Sequence, residues 1–196
     1  MHHRRSKNIL FYFFLFLIIG TLNNKNFNNP DFPKINEINI SGLDKKSSYD
    51  LQEKLKFLMI HNLFSLNKFE VEKIINMNNL VENFSVIKKY PSSLKIEIKK
   101  TKFLAYVKQN DDTFFFGSNG RLINTNEMSQ TLPLIFGKFE NKDFFKLKEV
   151  IDEVNFEYKD IKNLFFFKSG RWDIETFSGV IIKLPNSDIS KSLRLG

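Results

Sequence analysis

One uncharged apolar run, Ile9 to Leu22 (ILFYFFLFLIIGTL), constrains this chain more than any other stretch. Arg4, Arg5 and Lys7 precede it with no acid among them, and Asn23, Asn24 and Lys25 follow. A basic segment before an apolar one is the pattern of an export signal. The run has 14 residues, about 21 Å as a helix at ~1.5 Å per residue, against a hydrocarbon core of ~30 Å. Length alone favours a cleavable signal or a buried helix. Against cleavage, no small-x-small pattern follows Gly20, and Phe11, Tyr12, Phe13, Phe14 and Phe16 are bulky for so short a run. Lys7 and Arg5 can snorkel, and a bilayer thins locally at modest cost. The expectation is an uncleaved signal anchor over 9–22, preferred to a cleaved signal and, further behind, to a soluble core helix. The positive-inside rule then places residues 1–8 in the cytoplasm as a short tail and the bulk outside, in the periplasm where an outer membrane exists.

Beyond the anchor the chain is mildly basic, with 27 of its 30 Lys and Arg residues set among 22 acids. The lysines are scattered rather than gathered into a stripe with interleaved aromatics, so no nucleic-acid surface is expected. Hydrophobic residues make up 42% of the 196 residues, enough to build a core. The chain has no Cys, which excludes a disulfide framework, a thiolate metal site and a cysteine nucleophile.

Residues 23–34 (NNKNFNNPDFPK) show no apolar periodicity and carry Pro30 and Pro33, as a linker does. A first folded unit is expected over 35–100. Ile35–Ile40 reads as a short strand closed by Ser41-Gly42. A helix follows from about Ser48, with Leu51, Leu55 and Leu58 on one stripe. Leu63–Leu66 is a connector, and Asn67 with Glu70 three residues on resembles a capping box. Val71, Ile74 and Ile75 form the buried face of that second helix. In the stretch Val81–Tyr90, Phe84, Val86, Lys88 and Tyr90 fall on one face. After the Pro91-Ser92-Ser93 turn, Leu94, Ile96 and Ile98 alternate with Lys95, Glu97 and Lys99. The order is β-α-α-β-β, one small sheet with two helices on one side.

The second unit, 101–196, reads as mostly β with one or two helices, so the whole chain is α+β behind its single N-terminal transmembrane helix. Strands are expected at 102–107 and 113–116, with Asp111-Asp112 as the turn between them. Gly117-Ser118-Asn119-Gly120 turns into Arg121-Leu122-Ile123, a hairpin signal. Asp143 is expected to cap a helix carrying Phe144, Leu147, Val150, Ile151 and Val154. Ile161–Lys168 is an apolar strand, and 170–174 with 178–185 form a hairpin around Gly179. Ser187 or Asp188 caps a short final helix.

Four stretches, in order, carry a resemblance to a known family. Ser41-Gly42, the two helices and Lys88-Lys89-Tyr90-Pro91-Ser92-Ser93-Leu94-Lys95-Ile96 resemble a POTRA domain, in particular that of the bacterial cell-division family FtsQ (DivIB in Gram-positives). Leu132-Pro133-Leu134-Ile135-Phe136-Gly137 resembles that family's Leu-Pro-x-Ile-x-Gly. Gly170-Arg171-Trp172-Asp173-Ile174 and Gly179–Pro185 resemble its Arg-Trp-Asp-Leu and Gly-x-x-x-Lys-Leu-Pro pair. Of its Glu-x-x-Pro-x-Ala element only Ala105 is kept, with Lys100 and Phe103 at the other positions. The resemblance implies a single-pass inner-membrane divisome protein at the septum that links early and late division proteins. It implies FtsB and FtsL as partners, and also FtsW, FtsK and other divisome members. The family's last helix and strand, which bind FtsB by strand addition, would lie beyond Gly196, so no FtsB-contact residues carry over. The other reading is a POTRA module that receives outer-membrane or secreted substrates.

No catalytic inventory supports an enzyme, and no cofactor, metal or small-molecule substrate is expected. His61 is read as a helix-end residue, Asp152-Glu153 lack a facing geometry, and Trp172 is read as a strand residue covering the core. The functional expectation is therefore binding at sheet edges. Val81–Tyr90 is expected at an edge of the first sheet, with Phe84, Val86, Lys88 and Lys89 as candidate partner-binding residues. The strand Val180–Leu184 is the second candidate edge, with Val180 and Ile182 exposed if it is open.

Overall fold

The computed structural model describes residues 3–22, 32–110, 112–124, 131–154 and 156–185. The Asp111 turn residue, most of the 23–34 linker and the helix expected after Ser187 lie outside them.

Helix α1 runs His3–Leu22. Its apolar side chains from Ile9 to Ile19 are all exposed, which sets aside a helix packed into a protein core. Basic residues fill its first turns, so the apolar part is short; no helix among the described residues is long and apolar enough to cross a membrane.

The first sheet grows from period-two alternation. Strand β1 is Glu37–Ser41, β2 is Val81–Lys89 and β3 is Ser93–Lys100, in the order β1-β3-β2. Strand β3 is central because its inward set, Leu94, Ile96 and Ile98, is buried and its neighbours flank it. It pairs parallel to β1 (Ile38↔Leu94) and antiparallel to β2 (Val86↔Ile96). Helices α2 (Lys45–Leu55) and α3 (Lys68–Asn76) bury Leu51, Leu55, Val71 and Ile75 in the same core. Leu58 joins them from a 3-10 turn that ends at Ile60.

The helix expected from Ser48 starts one turn earlier. Asp44 is its N-cap, with its carboxylate accepting from the Ser47 amide at 3.0 Å. Lys45, Lys46 and Ser47 carry no apolar side chain, so hydrophobic periodicity cannot report that turn. Asn67 does cap α3, accepting from the Phe69 amide at 3.1 Å. Glu70 reaches the Asn67 side-chain amide, at 3.3 Å, rather than its backbone N–H.

Among the described residues the second sheet has seven strands in the order β10-β9-β8-β7-β4-β5-β6. They are β4 Phe103–Gln109, β5 Asp112–Gly117, β6 Leu122–Ile123, β7 Leu134–Phe136, β8 Ile161–Phe166, β9 Trp172–Thr176 and β10 Ile181–Leu184. The two outer hairpins are antiparallel, and the pairs β4–β7 and β7–β8 at the centre are parallel. Helix α4, Asn141–Glu153, supplies the crossover and buries Phe144, Leu147 and Ile151 against one face. Its N-cap is Glu140 rather than Asp143. Asp143 sits at the third helical position and reaches back to accept the Glu140 amide at 3.0 Å, the returning half of a capping box. Trp172 is 2% exposed and lies in this core, its ring 4.7 Å from that of Phe166.

Each sheet closes a parallel pair with a glycine at left-handed φ. Gly42 (φ 97°) follows β1, and Gly137 (φ 102°) follows β7. A Cβ on Gly42 would stand 1.7 Å from the Ile98 carbonyl oxygen, and one on Gly137 2.1 Å from that of Phe166. No side chain fits where a backbone approaches so closely.

Candidate partner-binding edges

Strand β2 is an end strand of the first sheet, as its alternation and the central place of β3 predict. Its inward residues Phe84 and Val86 are half-buried and pack on the core of the two helices. Lys88 lies on the same side, and its ammonium donates to the Leu63 carbonyl of the connector at 2.6 Å. Lys89 points the other way and is exposed, as is Ile87. The four candidate residues are thus brought to one strand but not to one surface. Three face the core, and Lys89 shares the open face with Ser85, Ile87, Lys95 and Glu97. Tyr90 lies past the strand end and is exposed rather than aligned with Phe84. On the open face the Lys95 ammonium sits 2.5 Å from Glu97 and holds that carboxyl below its usual range.

Among the described residues strand β10 is one of the two end strands of the second sheet, paired to β9 (Ile182↔Ile174, Leu184↔Trp172). Val180 and Ile181 are 54% and 59% exposed. Ile182, expected outside with Val180, instead packs against the core, because the hairpin register turns Ile181 outward. Beside this edge, Asn163 and Lys162 donate to Glu175 at 2.8 and 3.3 Å and lower its pKa. Arg171 grips Asp173 through two nitrogens, at 2.9 and 3.2 Å.

The two sheets meet in a polar junction. Thr101, between β3 and β4, is buried, and its hydroxyl lies 3.0 Å from that of Ser118. Ser118 donates to Glu82 at 2.6 Å and accepts the Lys102 amide at 2.9 Å. Asn119 donates to the carbonyls of Asn79 and Val81, at 2.8 and 3.0 Å. Arg121 donates to the Asn76 carbonyl at 2.6 Å, at the C-terminus of α3 where the helix carries partial negative charge. Sequence reading treats Gly117–Gly120 as a turn and no more, since Ser, Asn and Gly are turn formers wherever they bind. The partners lie about forty positions earlier, and no local pattern reports them.

Among the described residues no three His, Asp or Glu side chains are placed to hold a metal. A cavity of about 520 Å³ between β4, β6 and the start of α4 is lined by Lys108, Lys138, Phe116 and Phe139, with no carboxylate, histidine or hydroxyl among its lining residues. His61 ends the 3-10 turn, its carbonyl accepting from the Ile35 amide. Tyr158 donates to the Leu104 carbonyl at 2.7 Å, and burial pushes its pKa well up, so it stays a neutral phenol.

Residues 34–100 match the POTRA domain, FtsQ-type, and residues 105–195 match the family Cell division protein FtsQ/DivIB, C-terminal. The chain is similar to Cell division protein DivIB of Clostridium botulinum, at 26% identity over 219 residues, covering 97% of this chain and 79% of that protein. It is also similar to Cell division protein FtsQ of Rhizobium meliloti, at 24% identity over 169 residues, covering 81% of this chain and 52% of the relative. The chain thus spans about half the length of the Rhizobium protein. Among solved structures it resembles the major extracytoplasmic domain of DivIB from Geobacillus stearothermophilus, at 15% identity and a TM-score of 0.36, over 48% of this chain and 87% of that one. A likeness of that size carries no argument.

Proposed function

We propose a scaffolding role on one premise: the chain belongs to the FtsQ/DivIB family of bacterial cell-division proteins. The family is non-catalytic. In this reading the chain is a single-pass inner-membrane protein that joins early and late division proteins through contacts outside the cytoplasm. Its parts are a cytoplasmic tail (1–8), the anchor (9–22), a linker (23–34), a POTRA domain (35–100) and a β domain (101–196). Helix α1 is the anchor, supported by apolar side chains that no protein surface covers. Arg4, Arg5 and Lys7 set its orientation, and local thinning of the bilayer accommodates its length. FtsB and FtsL are the partners the family resemblance points to, with FtsW and FtsK beside them.

The observation that carries the reading is that β2 and β10 are each, among the described residues, end strands paired on one side, as are β1 and β6 at the opposite ends of the two sheets. An unpaired edge binds an extended partner through its backbone, while neighbouring side chains select it. At β2 the selecting groups are Lys89 and the ends of Phe84, Val86 and Lys88; at β10 they are Val180 and Ile181. The test is co-purification of division proteins with the membrane-embedded full chain. Ile181→Lys places a charge on the β10 edge, and Val86→Pro removes a backbone donor from β2. Each should lower recovery of a different partner while circular dichroism stays native. Lys89→Glu should act with Val86→Pro, because it changes the edge without touching the core. Full recovery, with all three variants, of every division protein that co-purifies with the unaltered chain would remove the edges from the mechanism.

A further inference from the structure

Three segments meet at the end of the first sheet where the chain arrives from α1. They are residues 32–36, the connector 61–65 and the turn after β2. Lys34 bridges Asn62, the Ile35 amide donates to the His61 carbonyl at 2.9 Å, and the Asn36 amide to the Ser92 carbonyl at 3.0 Å. That antiparallel register sets Phe32 beside Phe64, with ring centroids 4.2 Å apart, and Phe64 is 5.1 Å from Tyr90. Phe64 makes a tilted contact with each of the other two rings, yet Phe32, Phe64 and Tyr90 are 39%, 56% and 59% exposed. Phe64 is held outward by its own backbone: Asn62 Oδ1 accepts from the Phe64 and Ser65 amides, both at 2.9 Å. Lys34, two residues after Phe32, and Lys89, next to Tyr90, are exposed, and the Lys88 ammonium is held on the Leu63 carbonyl. The acid at this end is Glu37, which accepts from Ser93 at 3.2 Å; Asp31 precedes Phe32 in the sequence.

We infer that this aromatic cluster with its lysine rim docks the first unit on the surface of an anionic bilayer. The inference rests on the reading of α1 as the anchor. Residues 23–31 separate Leu22 from Phe32, so the cluster lies within about 35 Å of the end of α1 at ~3.3–3.6 Å per residue. Of all surfaces a partner of any kind can offer, the bilayer is the one this tether keeps permanently in reach. The chemistry fits it. Phenyl rings enter the headgroup and acyl boundary, a tyrosine hydroxyl stays at the water side, and lysine ammoniums meet lipid phosphates. Docking sets the tilt of the first sheet against the membrane and so the direction in which β2 faces its partners.

The experiment places the full chain in vesicles of phosphatidylcholine and phosphatidylglycerol whose acyl chains are brominated, which quenches indole fluorescence on contact. The chain has a single tryptophan, Trp172, buried in the second core. Wild-type emission should therefore be unchanged by bromination. Phe64→Trp should lose its added emission, and Phe177→Trp, exposed in the last hairpin, should keep it. Adding Lys34→Glu should restore emission to Phe64→Trp on anionic vesicles. A chain that floats with the vesicles while Phe64→Trp stays unquenched overturns the docking and leaves the anchor standing. Equal quenching of Phe177→Trp overturns it as well, since the contact is then not specific to this end. A chain that fails to float overturns the anchor and the docking together.

Discussion

The Ser118 hydroxyl donates to the Glu82 carboxylate at 2.6 Å, from the turn between β5 and β6 to the start of β2. The same oxygen also meets Thr101 and the Lys102 amide. One side chain therefore ties the second sheet to the first at Glu82 and to the segment joining the two sheets at Thr101 and Lys102.

Ser118→Ala should destabilise the protein by about 1.5–3 kcal/mol, the range for hydrogen bonds that involve a charged group. Urea midpoints measure it. Hydrogen exchange at the Lys102 amide should quicken, because that donor loses its acceptor. An unchanged midpoint with unchanged exchange would mean the junction is held without Ser118.

Ile96, on the central strand β3, is fully buried. Ile96→Ala should cost about 2–5 kcal/mol, the range for emptying a packed aliphatic site. Lys95→Ala, on the open face, should stay within about 1 kcal/mol, since its partner Glu97 is a surface one. Equal losses from the two would contradict the assignment of faces.

Gly42→Ala should be among the more damaging single-methyl additions. The new Cβ would overlap the Ile98 carbonyl oxygen at 1.7 Å, in a backbone conformation with φ 97°. Conformational strain alone costs about 1–2 kcal/mol, and displacement of β3 adds to it. Far-ultraviolet circular dichroism during thermal unfolding checks this.

Asp44 links α2 to pH. Its hydrogen bond from Ser47 lowers its pKa from the ordinary value of 3.8. A lowered native pKa means the stabilisation is fully present above that ordinary value and is lost as pH falls through the native one. Asp44→Asn keeps a cap and should flatten the acid limb of the stability curve. Asp44→Ala should lose about 0.5–2 kcal/mol at neutral pH. A wild-type acid limb in Asp44→Asn would rule out this carboxylate as its source.

Much of the framework is written in local pattern. The alternation of Leu94, Ile96 and Ile98, the stripe of Leu51 and Leu55, and the turn at Gly179 each specify their element alone, because side-chain direction repeats with the backbone period. The motif order from Ser41-Gly42 to Leu184-Pro185 carried the family in the same way. The places where expectation and structure part are capping and edge positions. Asp44 and Glu140 cap their helices through side-chain and backbone geometry that hydrophobic periodicity does not see. Ile182 and Ile181 exchange sides because register is decided by pairing with β9.

Sequence by itself determined the apolar N-terminal run and the α+β order of two units, since composition and period are properties of the chain. Only the tertiary structure decided that Arg121 and Asn119 clasp the end of α3. It alone set Phe32, Phe64 and Tyr90 in one exposed cluster and turned Phe84, Val86 and Lys88 inward while Lys89 faces solvent. Those relations join residues far apart along the chain. Their energies exist only once the sheets and helices have packed, so no window of neighbouring residues contains them.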